Sequence, residues 1–187
     1  SPVEDIRNPR SQKPFAKINQ VQYIIDSLAK TAYSRRSQAI TWMPTADVKT
    51  DDPPCLQRVW CRLIENPTPT PAGGFCLNMN THWRSRDLYK AWFMNAYALT
   101  DLQRIIAAKI SEKIRKPVTV GRYVDITDSL HIYGSYFKDA AAEVEKMRDG
   151  DFKKRSWQSS HPAFAMMTAE AMEKLAKDPD WYAKAKG

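Results

Sequence analysis

Apolar positions along the chain change their period several times, and each change marks an element boundary. Ile18, Val21, Ile24, Ile25 and Leu28 recur at helical spacing, which predicts an amphipathic helix over residues 17–33. The apolar run at residues 39–43 reads as a short strand. Residues 44–54, rich in Asp and Pro and ending in Pro53-Pro54, read as a loop. Residues 56–64 and 75–82 form two strands joined by the Pro/Gly/Thr stretch 65–74, a hairpin connection. A long helix is predicted over 87–114, with Leu88, Ala91, Trp92, Asn95, Leu99, Leu102, Ile105, Ile106 and Ile110 following the 3.6-residue period. Its length and its large side chains indicate a central, largely buried helix that Pro117 brings to a stop. A strand over 118–126, a turn-rich segment over 127–135 and helices over about 135–148 and 162–177 complete the pattern.

Helices and strands interleave, so the fold class is α/β (α+β): a mixed β-sheet with a long central helix. The 187 residues suit a single domain, 1–187, with an irregular lead-in over 1–16 and a frayed tail over 178–187. There is no internal repeat and no low-complexity block.

Composition narrows the function. The hydrophobic fraction of 43% and the charged fraction of 27% are those of an ordinary globular protein. No apolar run reaches the roughly 18 residues that a membrane span needs, and the polar N-terminus lacks a signal-peptide core, so the expected location is cytoplasmic. The net charge of +8 makes an anionic partner attractive: nucleic acid, a nucleotide or a phosphorylated metabolite. No nucleic-acid recognition motif accompanies it, which sets nucleic acid aside. The three cysteines, Cys55, Cys61 and Cys76, are too few for a disulfide framework, and no Cys/His spacing suggests a metal site.

Three segments carry chemistry. Ser34-Arg35-Arg36-Ser37 sets two guanidinium forks among hydroxyls, a combination that suits a phosphate; a surface charge pair is the plainer reading. In Asp51-Asp52-Pro53-Pro54-Cys55-Leu56-Gln57 a cysteine opens a strand after a rigid diproline. The thiol therefore points to a defined place, and neighbouring arginines would favour its thiolate; a buried structural thiol is the plainer reading. In His82-Trp83-Arg84-Ser85-Arg86-Asp87 a strand runs into a helix. Ser85 can cap that helix, Arg84 adds charge to its amide-rich end, and Asp87 complements the helix dipole.

The order "SRR", "PPCLQ", "WRSRD" with Asn95 eight residues after Asp87, and then "DSLHIYGSY" resembles the thymidylate synthase family, in particular its divergent archaeal and bacterial branch. The resemblance covers about residues 17–139. It implies that Cys55 is the nucleophile adding to pyrimidine C6, and that Arg84 and Ser85 hold the 5′-phosphate. It also implies that Arg35 and Arg36 reach the partner's phosphate across a homodimer interface. Asp87 would order the pterin and its waters, Asn95 would read the pyrimidine edge, and His131 and Tyr133 would bind the sugar 3′-hydroxyl. The substrate implied is dUMP and the co-substrate is 5,10-methylenetetrahydrofolate or a related methylene-pterin, with transfer of a one-carbon unit to C5. The alternatives are a pyrimidine nucleotide hydroxymethylase, and a non-catalytic nucleotide-binding homologue that lost the pterin half. The chain departs from the family pattern at Trp83, usually glutamine, at Leu56, often histidine, and at Ser129, often aspartate. No match is found in Ser1–Lys17 for the family's N-terminal portion, nor in Ala183–Gly187 for its apolar closing tail, so the expectation is a chain lacking that N-terminal portion.

Overall fold

The structure is a computed structural model; it describes residues 18–67, 73–148, 150–151, 156, 158 and 160–178. The lead-in before residue 18 and the tail from 179 onward lie outside the described residues. Two compact units follow one another, Ser1–Tyr136 and Phe137–Gly187.

The first unit is built on a four-stranded mixed sheet. Strand β1 (Gln38–Ile40) pairs antiparallel with β2 (Leu56–Glu65), β2 pairs antiparallel with β3 (Phe75–Trp83), and β3 pairs parallel with β5 (Val118–Thr127). The parallel step is made by α3 (Ala91–Ile114), so β3-α3-β5 is a βαβ crossover. Arg115, with φ 55°, takes the left-handed turn that ends α3 two residues before Pro117. A small parallel ladder joins β4 (Arg86–Asp87) to β6 (Leu130–His131).

One face of the sheet is dry. Val59, Cys61 and Leu63 of β2 and Leu77 and Met79 of β3 alternate inward. There they meet Ile24, Ile25 and Leu28 of α1 (Gln20–Lys30) and Ile106, Ala107 and Ile110 of α3. Asn19 caps α1, its side chain accepting from the Gln22 N–H.

Two one-residue irregularities interrupt the ladders. On β2, Leu56 pairs with Trp83 and Arg58 with His82, leaving Gln57 as the extra residue. On β5, Leu77 faces Val120 but Met79 faces Tyr123, an extra residue around Gly121. A Cβ on Gly121 would collide with Asn78 Oδ1. That same oxygen accepts from the Arg122 N–H at 2.8 Å. Buried Gln103 of α3 donates to the Leu77 and Arg122 carbonyls at 2.7 and 3.3 Å, satisfying groups the bulge sets free.

The predicted elements are found with three corrections. The loop 44–54 contains a short helix, α2 (Pro44–Asp47), because Pro44 presets the first helical φ and the Asp47 carboxylate accepts from the Met43 N–H. Helix α3 starts at Ala91, four residues later than its period suggests, because residues 86–87 are extended and paired with 130–131. It is also not largely buried. Its sealed residues lie between Gln103 and Ile110, whereas Trp92, Phe93, Met94 and Tyr97 of its first half are exposed.

The second unit contains α4 (Phe137–Arg148) and α5 (Pro162–Lys177), the latter begun by the His161 ring, which accepts from the Ala163 N–H, and by Pro162 at the first position. Both carry ion pairs one turn apart, such as Glu143–Lys146 and Glu170–Lys174. Among the described residues no helix is long and apolar enough to cross a membrane.

Candidate active site

The diproline delivers the chain to the start of β2, where the extra residue at Gln57 sets the facing of what precedes it. Beyond the bulge, Val59, Cys61 and Leu63 face the core. Before it, Leu56 packs against the core and Cys55 is turned away from it, half-exposed and with a free thiol. The other two thiols are sealed. Burial pushes Cys61, with no exposed surface, up to about 12, and Cys76 is buried with its Sγ 3.3 Å from Thr119 Oγ1.

Arg84 lies directly across the ladder. Its N–H donates to the Cys55 carbonyl at 2.9 Å. Its guanidinium bends back over the same segment: Nε donates to the Pro54 carbonyl at 3.3 Å, and one terminal nitrogen donates to the Pro53 carbonyl and to Asp52 Oδ1, the latter at 3.1 Å. The fork is about one-third exposed, and Asp52 almost wholly so.

The ladder of β4 and β6 then brings in the distal residues. Asp87 pairs with His131, and the Leu88 N–H donates to the His131 carbonyl at 2.8 Å. His131 and Tyr133 meet edge to face with centroids 4.8 Å apart. Asp87 Oδ1 accepts from the N–H groups of Tyr89 and Lys90 at 2.9 and 3.2 Å, fixing the turn that leads into α3. Tyr136 stacks on Tyr89 and carries the Lys90 ammonium over its ring.

Two expectations are corrected here. Ser85 does not cap the long helix: that helix begins six residues later with Lys90 as its N-cap, and Ser85 sits in the two-residue link between β3 and β4. Asp87 is likewise not in the first helical turn, and it acts on the preceding turn by direct hydrogen bonds.

Of the residues singled out in the sequence, the structure gathers Cys55, Arg84, Ser85, Asp87, His131 and Tyr133 at one end of the sheet. Asn95 stands half-buried in the second turn of α3. It does not bring Arg35 and Arg36 there. They are exposed in the link between α1 and β1, held through their backbones: the Arg35 carbonyl accepts from Trp60 Nε1 at 3.1 Å and the Arg36 carbonyl from the Tyr23 hydroxyl at 3.4 Å. The β1–β2 register sets Arg36 level with Arg62, about seven residues along β2 from Cys55, or roughly 23 Å at the ordinary strand rise.

Sequence reasoning missed Arg86 and Asp125. Arg86 is sealed, its guanidinium 3.9 Å above the Trp83 ring and one terminal nitrogen on Asp125. The signal was an acidic residue on a strand whose neighbours Tyr123 and Thr127 face inward, since an inward carboxylate requires an inward cation.

The thymidylate synthase family profile matches residues 5–174, and the chain belongs to the thymidylate synthase family. Relatives named "Putative thymidylate synthase" include one from Methanothermobacter marburgensis, 33% identical over 128 residues, which cover 68% of this chain and 51% of the relative. Another from Methanocaldococcus jannaschii is 36% identical over 127 residues, covering 64% and 50%. The chain thus spans about half the length of the curated relatives it matches. The solved thermostable thymidylate synthase A from Bacillus subtilis aligns with a TM-score of 0.53 over 76% of this chain and 44% of its own, at 19% identity, a likeness of fold.

Proposed function

We propose that the chain transfers a one-carbon unit from a methylene-carrying reduced pterin to C5 of dUMP, through a covalent adduct of Cys55 at C6. The observation that carries this reading is the juxtaposition of a partly exposed Cys55 with Arg84, whose N–H donates to the Cys55 carbonyl just beyond the last rung of the β2–β3 ladder. C5 of uracil is a poor nucleophile. Addition of the Cys55 thiolate to C6 moves an electron pair toward O4 and leaves C5 nucleophilic. The Arg84 fork can exchange the exposed Asp52 for a nucleotide phosphate. Asn95 offers both a donor and an acceptor to the O4 and N3–H edge of uracil. His131 and Tyr133 present a ring nitrogen and a hydroxyl to the sugar.

The residues present fit a flat co-substrate. The Asp87 carboxylate uses Oδ1 for its turn, and the side chains of Leu88 and Trp92, which follow it in the chain, are exposed. The pterin when bound supplies the one-carbon unit and its reducing equivalents. Ser85 adds a hydroxyl to the phosphate.

The working unit in this reading is a homodimer. Its support is the separation of Arg35 and Arg36 from Cys55 within one chain, which leaves them able to serve a neighbour's phosphate. The sheet face opposite the core also presents exposed Ile40 and Ile126 for a second copy to cover.

The decisive experiment incubates the protein with dUMP and 5,10-methylenetetrahydrofolate and resolves products by mass. A methylated nucleotide is expected, together with a covalent adduct on Cys55 and no labelling of Cys61 by a thiol reagent at pH 8. A hydroxymethyl product, or dUMP bound without turnover, would replace the reading with one of its alternatives. Hybrid dimers of Cys55→Ala and Arg36→Ala chains should recover activity, because one of their two sites is intact.

A further inference from the structure

Behind the link that carries Arg84 and Ser85 lies a closed polar circuit. Trp83 Nε1 donates to Thr81 Oγ1 at 3.3 Å, Thr81 Oγ1 is 3.0 Å from the Tyr123 hydroxyl, and that hydroxyl donates to Asp125 Oδ2 at 3.1 Å. Thr127 donates to the other carboxylate oxygen at 3.3 Å. Arg86 pairs with Asp125 and covers the Trp83 ring, which returns the circuit to its start. The exposure of the pair is 1% for the Arg86 side chain and 14% for Asp125. Burial holds the Tyr123 hydroxyl above its ordinary range, so it remains a donor.

The second terminal nitrogen of Arg86 leaves this circuit and donates to the Trp92 carbonyl at 3.2 Å. Trp92 lies in the first turn of α3, three residues before Asn95, so one rigid fork ties β5 to the turn directly before the one that carries Asn95. The same residue follows Arg84 and Ser85 directly, and its own N–H donates to the Ser129 carbonyl at 2.9 Å. The circuit also accounts for Trp83, where the family pattern has glutamine: here the aromatic ring is the platform on which Arg86 lies.

We propose that Arg86 is a positioning residue that sets the distance between Arg84 and the base-reading Asn95, and through that distance the preference for uracil over cytosine. This rests on the reading above, in which Arg84 holds the phosphate and Asn95 the base. Arg86 touches neither. It fixes the span between them, so its loss loosens recognition of the base end while a phosphate alone still finds Arg84.

The test compares wild type with Arg86→Lys and with the double variant Arg86→Met plus Asp125→Leu. Lysine keeps the charge but has one ammonium, which cannot serve Asp125 and the Trp92 carbonyl as a fork does. The double variant removes both charges, so no unpaired carboxylate is left inside and folding is retained. Thermal melts establish folding, calorimetry gives affinities for dUMP, dCMP and deoxyribose 5-phosphate, and hydrogen exchange reports the amides of residues 92–97. In both variants we expect the dUMP-over-dCMP preference to fall at least threefold. Affinity for deoxyribose 5-phosphate should stay within twofold, and exchange at 92–97 should rise tenfold while β2 and β3 are unchanged. Recovery of base preference together with stability in the double variant would reduce Arg86 to a structural role and overturn the proposal, as would unaltered exchange at 92–97. If wild type binds neither nucleotide, the dUMP reading falls, and the exchange measurement still decides whether Arg86 positions α3.

Discussion

Arg84 and Arg86 are two residues apart, and they show what surroundings do to the same side chain. Arg84 is one-third exposed, and its carboxylate partner Asp52 is 94% exposed. Arg86 is sealed and its partner Asp125 largely so. The exposed pair is weak and exchangeable, because water competes for both charges and the chain loses little by letting go. The sealed pair is hard to break, because removing either member strands the other in a medium that does not solvate it. A site that must bind and release an anion needs the first kind of arginine, and the frame that holds the site needs the second.

The largest break in this contrast is Arg86→Met. It leaves Asp125 without its cation, and the cost should be about 3–5 kcal/mol by analogy with other half-removed buried pairs. For a chain of this length that lowers the melting midpoint by roughly 6–20 °C, measurable by calorimetry. A loss smaller than about 1 kcal/mol would mean that Asp125 finds water or another donor. Next comes Arg84→Ala. The free protein should melt as wild type does, while dUMP affinity falls about ten- to a hundredfold, the worth of one charge-assisted contact. A melt shifted as far as that of Arg86→Met would erase the distinction between the two. The smallest effect is that of Asp52→Ala, which removes a solvated competitor for Arg84. Stability should not change measurably, and dUMP affinity should hold or rise a few-fold, more visibly at low salt where the competing pair is strongest. Weakened binding would show that Asp52 orients the arginine for its ligand.

Much of this was legible in the sequence, and the exceptions share a cause. The strands 56–64 and 75–82 were found because their apolar periods are set by a neighbour that buries them. The start of α3 was misjudged because apolar periodicity continues through Leu88, while the backbone there obeys its pairing with Leu130 and His131. Its burial was overestimated because a periodic stripe shows which face is apolar and does not show whether anything covers it. Of the candidate site, short motifs singled out Cys55 by its diproline and Arg84 by its neighbours, and the resemblance singled out His131 and Tyr133. The grouping of Arg84 with Asp52, and of Arg86 with Asp125, was not, because each joins segments more than thirty residues apart. Nothing in the sequence sets Arg86 apart, and only the facing of Trp83 and Asp125 distinguishes it.

The two extra residues in the ladders make this region depend on parity. A strand has only two sides, so each insertion exchanges every inward position downstream for an outward one. Upstream of Gly121 the even-numbered Val118 packs inward, and past it the odd-numbered Tyr123, Asp125 and Thr127 do. On β2 the count changes at Gln57, and the thiol of Cys55 comes out odd and outward where Val59, Cys61 and Leu63 are odd and inward. Loss of a single residue from either stretch would leave composition almost untouched, yet it would drive the thiol into the core or turn the carboxylate out of it. These strands therefore tolerate a change of letter far better than a change of length. Related chains should vary along them by substitution, and insertions or deletions should collect in the loops.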